Sequence, residues 1–267
     1  NADITVNHST LRYSARSGIY VSGNITAPVS LQNTTVFSNA TYGIFVSGGA
    51  SGDMTIANNT LDKNGDTAVH LYSTQNRALT LSGNSLTDNS GYALSLRNIQ
   101  NPPLAFSGNL GAGNKYNAIY LYGSFGNLTL APQGSPVYQF DNVSVPSGQT
   151  LTLQPGTIVK LPGDSLGVNG ALVAAGTSGS PIVFTSWQDD SYGGDSNGDG
   201  SASVPARGDW DSIAINNGSV NLDYALVQYG GGNSYRPGLI TQYYNGNTYN
   251  ADITVNHSTL RYSARSG

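Results

Sequence analysis

The 267-residue chain carries only 10% charged residues, has a formal net charge of -4 and contains no cysteine. It has no run of clustered Lys and Arg of the kind that nucleic acid or an anionic membrane requires, and no disulfide or thiolate metal site. All 15 acidic residues are Asp, while Gly and other turn formers abound, so the strong helix formers are scarce. No apolar run reaches the eighteen residues typical of a membrane span. The composition therefore predicts an all-β protein without nucleic-acid partners or a membrane span.

A segment of eighteen residues occurs twice, because Asn1–Gly18 returns letter for letter as Asn250–Gly267. Positions 1 and 250 differ by 249, and an identity of this length indicates tandem duplication of a long repeat. An overlap introduced by design is the alternative. On the first interpretation the chain is one 249-residue repeat plus the start of the next, so its function is that of a repeating segment.

A second period of 25 residues runs through the first half of the chain, where apolar positions recur in columns. The clearest column is Ile4, Val29, Met54, Leu79 and Leu104, and another is Ile19, Ile44, Val69, Leu94 and Ile119. Within each period the apolar residues come in pairs two apart, as in a strand with one face inward. Three short strands per 25 residues predict a right-handed parallel β-helix, a solenoid in which each coil, or rung, stacks on the one before.

Asparagines share this register and predict a hydrogen-bonded ladder at one corner of the solenoid. The ladder comprises Asn39, Asn64, Asn89 and Asn114, and a second column comprises Asn59, Asn84 and Asn109. Generic turn formation would not explain the common register.

The whole chain, residues 1–267, is predicted to be a single β-helix. Regular rungs span 1–127, irregular rungs span 128–186, a projecting loop spans 187–209, and rungs resume over 210–267. The last rung leads directly into a copy of the first, and neither end shows a segment that would cap it. Consecutive repeats are therefore expected to stack head to tail as one rod, each adding nine rungs or roughly 45 Å.

The loop carries the sharpest chemical motif, Asp195-Ser-Asn197-Gly-Asp199-Gly200. Oxygen ligands at alternate positions, followed by a glycine that permits a sharp bend, are typical of a calcium loop. Ala206 stands where an EF-hand has its bidentate Glu, so other acids must complete the shell. The predicted calcium ligands are Asp189, Asp190, Asp195, Asn197, Asp199, Asp209 and Asp211. A solvated loop held by Asx turns is the alternative.

Stretches 151–186, 189–200 and 208–213 resemble secreted bacterial surface proteins of the right-handed parallel β-helix, pectate-lyase-like class, and 221–232 is similar to their typical rung. The resemblance implies an extracellular, cell-surface location, calcium, and a role in adhesion or glycan contact. It does not imply catalysis, since the fold hosts both enzymes and inert fibres.

Asp62 and Asp88, on adjacent rungs, are the candidate pair of carboxylates for glycoside hydrolysis. Lys63 shares the register of Asp88, so a salt bridge between rungs is the simpler interpretation. Arg207 is the basic residue that a lyase would need near calcium, although one Arg beside such a loop is more often a charge partner.

An outward aromatic strip is the candidate binding surface, for sugar rings or for a neighbouring filament. It comprises Tyr20, Phe45, His70, Tyr72, Tyr120 and Tyr122. Packing of aromatics across strands is the competing explanation, and Tyr243, Tyr244 and Tyr249 near the repeat junction raise the same question. The overall prediction is a non-enzymatic, calcium-stabilised extracellular repeat that stacks into a filament. The alternative is a carbohydrate-binding or polysaccharide-degrading β-helix.

Overall fold

The computed structural model describes residues 3–75, 78–99, 104–242 and 251–265. Within these ranges the chain forms short β-strands joined by turns, without an α-helix. The fold is a parallel β-helix of about nine rungs, as the columns of apolar residues predicted. Contacts divide the chain into two compact units: an N-terminal unit up to Tyr120 with 133–136 and 196–198, and a C-terminal unit containing the rest.

The N-terminal unit is built from rungs of three strands each. In chain order they are β1 (Ile4–Asn7), β2 (Thr10–Arg12), β3 (Ile19–Ser22), β4 (Val29–Gln32), β5 (Thr35–Phe37), β6 (Ile44–Ser47), β7 (Met54–Ala57), β8 (Thr60–Asp62), β9 (Val69–Tyr72), β10 (Leu79–Ser82), β11 (Ser85–Thr87), β12 (Tyr92–Arg97), β13 (Leu104–Ser107), β14 (Leu110–Ala112) and β15 (Tyr116–Ser124). First strands pair in the order β1-β4-β7-β10-β13, second strands β2-β5-β8-β11-β14, and third strands β3-β6-β9-β12-β15. Ile4 pairs with Val29, so the register has the predicted offset of 25.

The C-terminal unit keeps three strands per rung with less even spacing. They are β16 (Leu128–Leu130), β17 (Val137–Val145), β18 (Thr150–Leu153), β19 (Ile158–Leu161), β20 (Leu166–Val168), β21 (Ala171–Ala175), β22 (Ile182–Ser186), β23 (Ile213–Ile215), β24 (Ser219–Asp223), β25 (Ala225–Gln228), β26 (Ile240–Gln242), β27 (Asp252–Asn256) and β28 (Thr259–Arg261). First strands pair as β16-β18-β21-β24-β27. The long strand β17 pairs through one part with β19 and through another with β20, so it supplies both remaining strands of its rung.

The core lies inside the coil because both members of each apolar pair, and the lone apolar residue between the pairs, face inward and pack against their equivalents one rung away. Leu31, Val36 and Ile44 are fully buried. Gly43, which precedes β6, lies at a crowded corner. A Cβ on Gly43 would lie 2.6 Å from the Ala68 carbonyl oxygen and 2.7 Å from Leu61 Cδ2, so the corner has no room for a side chain.

The predicted asparagine ladder is confirmed. The Asn64 side chain donates to Asn89 Oδ1 at 2.9 Å and accepts from Asn39 Nδ2 at 2.9 Å, and Asn89 donates in turn to Asn114 Oδ1 at 2.9 Å. The ladder amides also donate to the backbone of the preceding rung, as where Asn64 Nδ2 donates to the Val36 carbonyl at 3.1 Å. The second column, Asn59–Asn84–Asn109, repeats the pattern at 3.0 and 2.8 Å. The two columns therefore satisfy buried backbone groups along two corners of the regular rungs.

Candidate functional site

The long loop occupies the stretch between β22 and β23 and contains the predicted 187–209; it belongs to the C-terminal unit except for 196–198. Its first residue, Trp187, donates its backbone N–H to Leu161 O at 2.9 Å. At its far end the buried indole of Trp210 donates to Gln228 O at 2.9 Å. Both ends are thus fixed to the solenoid, and in the middle of the loop Ser196 is buried and its carbonyl accepts the Asn117 N–H at 3.1 Å.

Three of the predicted ligands come together within this loop. Asp190, Asp195 and Asp199 each place one carboxylate oxygen within 4.8 Å of the other two. Asp195 also accepts the backbone N–H groups of Asp199 at 3.2 Å and Gly200 at 2.8 Å, which bends the loop around its carboxylate. Gly200 has a φ of +74°, the left-handed conformation that this bend needs. The geometry suits a hard cation such as calcium.

The other predicted ligands have different surroundings. Asp189 is buried and accepts from Thr185 Oγ1, from Gln228 Nε2 at 2.9 Å and from Ser191. Asp209 accepts from Ser186 Oγ and from the Ala206 N–H, while Asp211 accepts from Asn233 Nδ2 at 3.0 Å. Asn197 is half-buried and belongs to the N-terminal unit with its neighbours Ser196 and Gly198. Asp189, Asp209 and Asp211 hold the loop in shape through these bonds, and the group of converging carboxylates does not include them.

Lys160 is a feature that the sequence reasoning missed. Its side chain is fully buried, and Nζ donates to the Gly194 carbonyl at 2.8 Å. Burial lowers the pKa of Lys160 to about 8, although the carboxylates of Asp190, Asp189 and Asp195 favour its charge. Burial raises the pKa of Asp190, and Lys160 opposes that rise. An ammonium group therefore lies beside the cluster and would compete with a bound cation.

A second acidic pair in the C-terminal unit also went unrecognised. Asp164 hydrogen-bonds Asp141, and its pKa is raised by burial, by that bond and by the charge of Asp141. The two residues are 23 positions apart in the irregular rungs, where no strict period marks the register. The pair is a local site of charge repulsion.

The aromatic strip in the N-terminal unit is a stack of rings. Tyr20 and Phe45 stack with centroids 5.0 Å apart, and Phe45 and His70 at 5.3 Å, with interplanar angles of 8° and 6°. Tyr42 leans against both Phe45 and His70 at 5.0 Å. Burial, together with the nearby charge of Arg97, lowers the pKa of His70 to about 4, so the stack is uncharged at neutral pH. Since the rings cover each other's faces, Tyr20, which is 63% exposed, offers the most open ring.

The prediction that Tyr120 belongs to an exposed strip is wrong. Its side chain is 4% exposed, because the Arg97 guanidinium lies 4.6 Å above the ring and Tyr92 packs 4.9 Å away. Tyr72 is 45% exposed, and Tyr122, in the C-terminal unit, is half-buried. Tyr243, Tyr244 and Tyr249 lie outside the described residues. The strip is therefore not one continuous flat surface.

The carboxylates considered for catalysis form ion pairs. Lys63 Nζ lies 3.0 Å from Asp62 and 3.9 Å from Asp88. The other oxygen of Asp62 accepts from Thr87 Oγ1 at 2.8 Å, one rung on. This is the arrangement expected of the simpler salt-bridge interpretation.

The junction between the last rung and the copied first rung is continuous. Strand β27 pairs with β24, setting Val220 opposite Ile253, and β28 pairs with β25, setting Val227 opposite Leu260. Side chains support the pairing: Arg261 Nε donates to Gln228 Oε1 at 2.8 Å. Arg207 donates to the Ser263 carbonyl at 3.3 Å, so it is a contact of the junction.

A cavity of about 310 Å³ opens beside this junction. Its lining includes Tyr192 and Tyr224 from the body of the repeat and His257, Thr259 and Arg261 from the copied rung. Aromatic rings, hydroxyls and one guanidinium are groups that bind small polar ligands.

Comparison with known proteins supports the fold. Residues 1–131 match the family model described as a right handed beta helix region. No curated protein and no solved structure matches the chain. The match covers the regular rungs, and the fold is accordingly consistent with a structural or a carbohydrate-related role. Among the residues described, no helix has the length and apolar character needed to cross a membrane.

Proposed function

We propose that the chain is a structural repeat that stacks end to end with identical copies, forming a continuous β-helical filament on the outside of a cell. The observation that supports this proposal is the pairing of the copied segment with the last rung of the repeat. Residues 252–256 and 259–261 pair with the last rung in the same parallel manner as any two rungs within the repeat. The start of a next copy is thus a good fit to the end of this one.

The first rung of a repeat can also contact a neighbouring rung on each side. Toward the second rung, Tyr13 meets Phe37 edge to face at 5.7 Å, and Asn7 accepts from Asn33 at 2.9 Å. In the copy, the residue equivalent to Tyr13 is Tyr262, and it stacks on Tyr229 at 5.2 Å. The same ring position therefore contacts a neighbouring rung on either side.

Calcium is proposed to order the loop at residues 187–209. Three carboxylates converge there, and among the described residues none donates a hydrogen bond to the buried Oδ1 of Asp190. A divalent cation would satisfy that oxygen and relieve the repulsion within the cluster. The extracellular placement rests on the resemblance of stretches 151–186 and 208–213 to secreted surface proteins.

Electron microscopy of proteins carrying one, two and four repeats, with calcium and with chelator, tests the proposal. Nine rungs spaced about 4.8 Å apart predict an unbroken particle that lengthens by about 45 Å per repeat. A chelator is expected to loosen the loop without dividing the particle. Separate beads joined by linkers would refute continuous stacking.

A carbohydrate-binding role is the second candidate, and the cavity beside the junction favours it. Its aromatic, hydroxyl and guanidinium lining could hold a sugar, with Arg261 facing an acidic group. The test is binding or cleavage of acidic polysaccharides by a two-repeat protein. Loss of binding in Arg261→Ala would support this role, while cleavage lost on changing Asp62, Asp88 or Arg207 would instead indicate an enzyme.

A further inference from the structure

The cavity beside the junction presents one permanent charge, the guanidinium of Arg261, and none of the described residues that line it is acidic. The Asp223 carboxylate is paired at 2.9 Å with His257, which is itself a lining residue. The lining residues that carry hydroxyl groups are Thr177, Ser178 and Thr259. The cavity therefore favours a small anion that also carries hydroxyl groups.

Arg261 is held in a way that leaves its terminal nitrogens available. Its Nε donates to Gln228 Oε1 at 2.8 Å, and within the described part of the chain neither Nη atom donates a hydrogen bond. The guanidinium also lies 5.0 Å from the centroid of the Tyr262 ring, which supports it from one side. A planar fork of N–H groups matches the two oxygens of a carboxylate. The free end of Arg261 is thus suited to bind a carboxylate.

A buried chain of hydrogen bonds links Arg261 to the long loop. Gln228, which accepts from Arg261, donates through Nε2 to Asp189 Oδ2 at 2.9 Å. Asp189 Oδ1 accepts from the Ser191 N–H at 3.1 Å and from the Ser191 hydroxyl. Tyr192, the next residue, lines the cavity. Because Gln228 and Asp189 are both buried, this chain ties the position of Tyr192 to that of Arg261.

The size of the cavity limits the ligand to about one sugar ring. Its volume of about 310 Å³ lies at the lower end of the roughly 300–1,000 Å³ that ligand pockets span. Burial raises the pKa of Tyr229, with Asp189 and Tyr192 adding to the rise and Arg261 opposing it, so these groups lie near one phenol. A pyranose ring has an apolar face that packs on an aromatic ring, while its hydroxyls remain at the edge.

Two aromatic residues of the lining have a backbone conformation that bulky side chains rarely adopt. The φ angle is +46° at both Tyr224 and His257, and their rings stack with centroids 4.6 Å apart. In the next rungs of the N-terminal unit the positions equivalent to His257 are occupied by Asn33, Asn58, Gly83 and Gly108. Asn and Gly tolerate this conformation best. Unfavourable backbone conformations cluster at ligand sites, so the aromatic stack supports a binding role for the cavity.

We infer that this cavity binds a single carboxylated sugar residue, with the carboxylate on Arg261 and the sugar ring stacked on Tyr192. Gln228 and Asp189 are positioning residues that keep these two groups at a fixed separation. The inference rests on the carbohydrate-binding role proposed above, and it names the kind of sugar and the contacts that hold it.

Calorimetry on the full chain tests the site with probes that differ in charge: the methyl glycosides of D-glucuronic and D-galacturonic acid, and those of D-glucose and D-galactose. At least one acidic glycoside should bind about tenfold more tightly than its neutral counterpart, because it gains a charge-assisted contact with Arg261. Arg261→Gln should remove this preference. Arg12→Gln is the matched control and should leave binding unchanged, because Arg12 has the same place in the repeated segment but lies outside the cavity.

Two further variants separate contact from positioning. Tyr192→Leu should weaken binding of acidic and neutral glycosides by the same factor, about threefold to tenfold, because ring stacking does not depend on the charge of the sugar. No effect would remove Tyr192 from the site. Arg261→Lys keeps the charge but lacks the Nε–H that bonds Gln228, so it should restore only part of the preference for the acidic glycoside. If Arg261→Lys bound as tightly as the wild type, the positioning role of Gln228 and Asp189 would be wrong.

Equal affinity for acidic and neutral glycosides, an equal loss in Arg12→Gln, or no binding at millimolar concentration would overturn the inference. Binding of acidic polysaccharide distinguishes this failure from failure of the carbohydrate role. If the polysaccharide binds to the wild type and to Arg261→Gln equally well, the role stands and this site is refuted. If neither the polysaccharide nor any glycoside binds, both fall. Stacking of repeats is judged separately, by particle length.

Discussion

Asn64→Ala removes the centre of the asparagine ladder and is expected to be strongly destabilising. The side chain is completely buried. It donates to Val36 O and Asn89 Oδ1, and it accepts from the backbone N–H and the side-chain amide of Asn39. Alanine leaves the buried Val36 carbonyl and Asn39 N–H without these partners.

The four lost hydrogen bonds set the size of the effect. Each contributes about 1 kcal/mol net, so the free energy of unfolding should fall by about 4 kcal/mol. Asn221→Ala is the matched control, because Asn221 is an exposed asparagine on strand β24. Its effect should stay within about 0.5 kcal/mol, as for most surface substitutions.

Urea denaturation followed by circular dichroism gives the global effect, and native-state hydrogen exchange gives the local one. Exchange should accelerate most at the Asn39 and Asn64 amides, which bond to the ladder, while amides of the C-terminal unit change little. If Asn64→Ala lowered the free energy of unfolding by less than about 1 kcal/mol, no more than Asn221→Ala does, the view that the ladder is a main source of stability would be refuted.

Three further predictions follow from the packing and the charges. Gly43→Ala should cost about 1–3 kcal/mol by denaturation because its Cβ meets backbone and Leu61, whereas Gly163→Ala, which meets no atom within 4 Å, should be neutral; equal effects would contradict this. Asp164→Asn should stabilise the protein at pH 7 and so raise its melting temperature. The gain in the free energy of unfolding should be no more than about 0.5 kcal/mol, because the site is exposed. Because the pKa of Asp164 is raised, the wild type loses stability as the pH rises through that pKa. The stabilisation by Asp164→Asn should therefore vanish toward low pH, and a pH-independent stabilisation would count against the argument. Lys160→Met should tighten calcium binding about fivefold at pH 7, measured by calorimetry, because it removes a nearby positive charge; the difference should shrink above pH 8, where wild-type Lys160 becomes neutral, and weaker binding by the variant would refute the assignment.

The regular rungs could be predicted from the sequence because each residue's position in the coil repeats every 25 residues. The Ile4 and Ile19 columns marked strands, and the Asn39–Asn114 column marked the ladder, since stacking places equivalent residues in contact. Periodicity is informative wherever neighbours in space are neighbours in register.

The same rule explains what the sequence could not show. Tyr120 is buried by Tyr92 and Arg97, which lie on the preceding rung at positions that do not share the register of Tyr120. Asp189 and Lys160 are buried through partners in an irregular loop, at Gln228 and Gly194, where no period relates the residues. Acidic clustering therefore located the loop but did not separate the converging carboxylates from those that hold its shape.

Two corners of the first rung are aromatic residues with a left-handed backbone conformation, and this conformation affects the stability of the repeat. His8 and Tyr13 keep φ angles of +47° and +59°, where asparagine or glycine would fit at lower cost. Replacing each with Asn or Gly should stabilise a lone repeat, because the left-handed conformation costs other L-residues roughly 1–2 kcal/mol, and it should weaken the proposed contact with the preceding repeat. If repeats stack as proposed, a single repeat thus gives up some of its own stability for the contact with its neighbour.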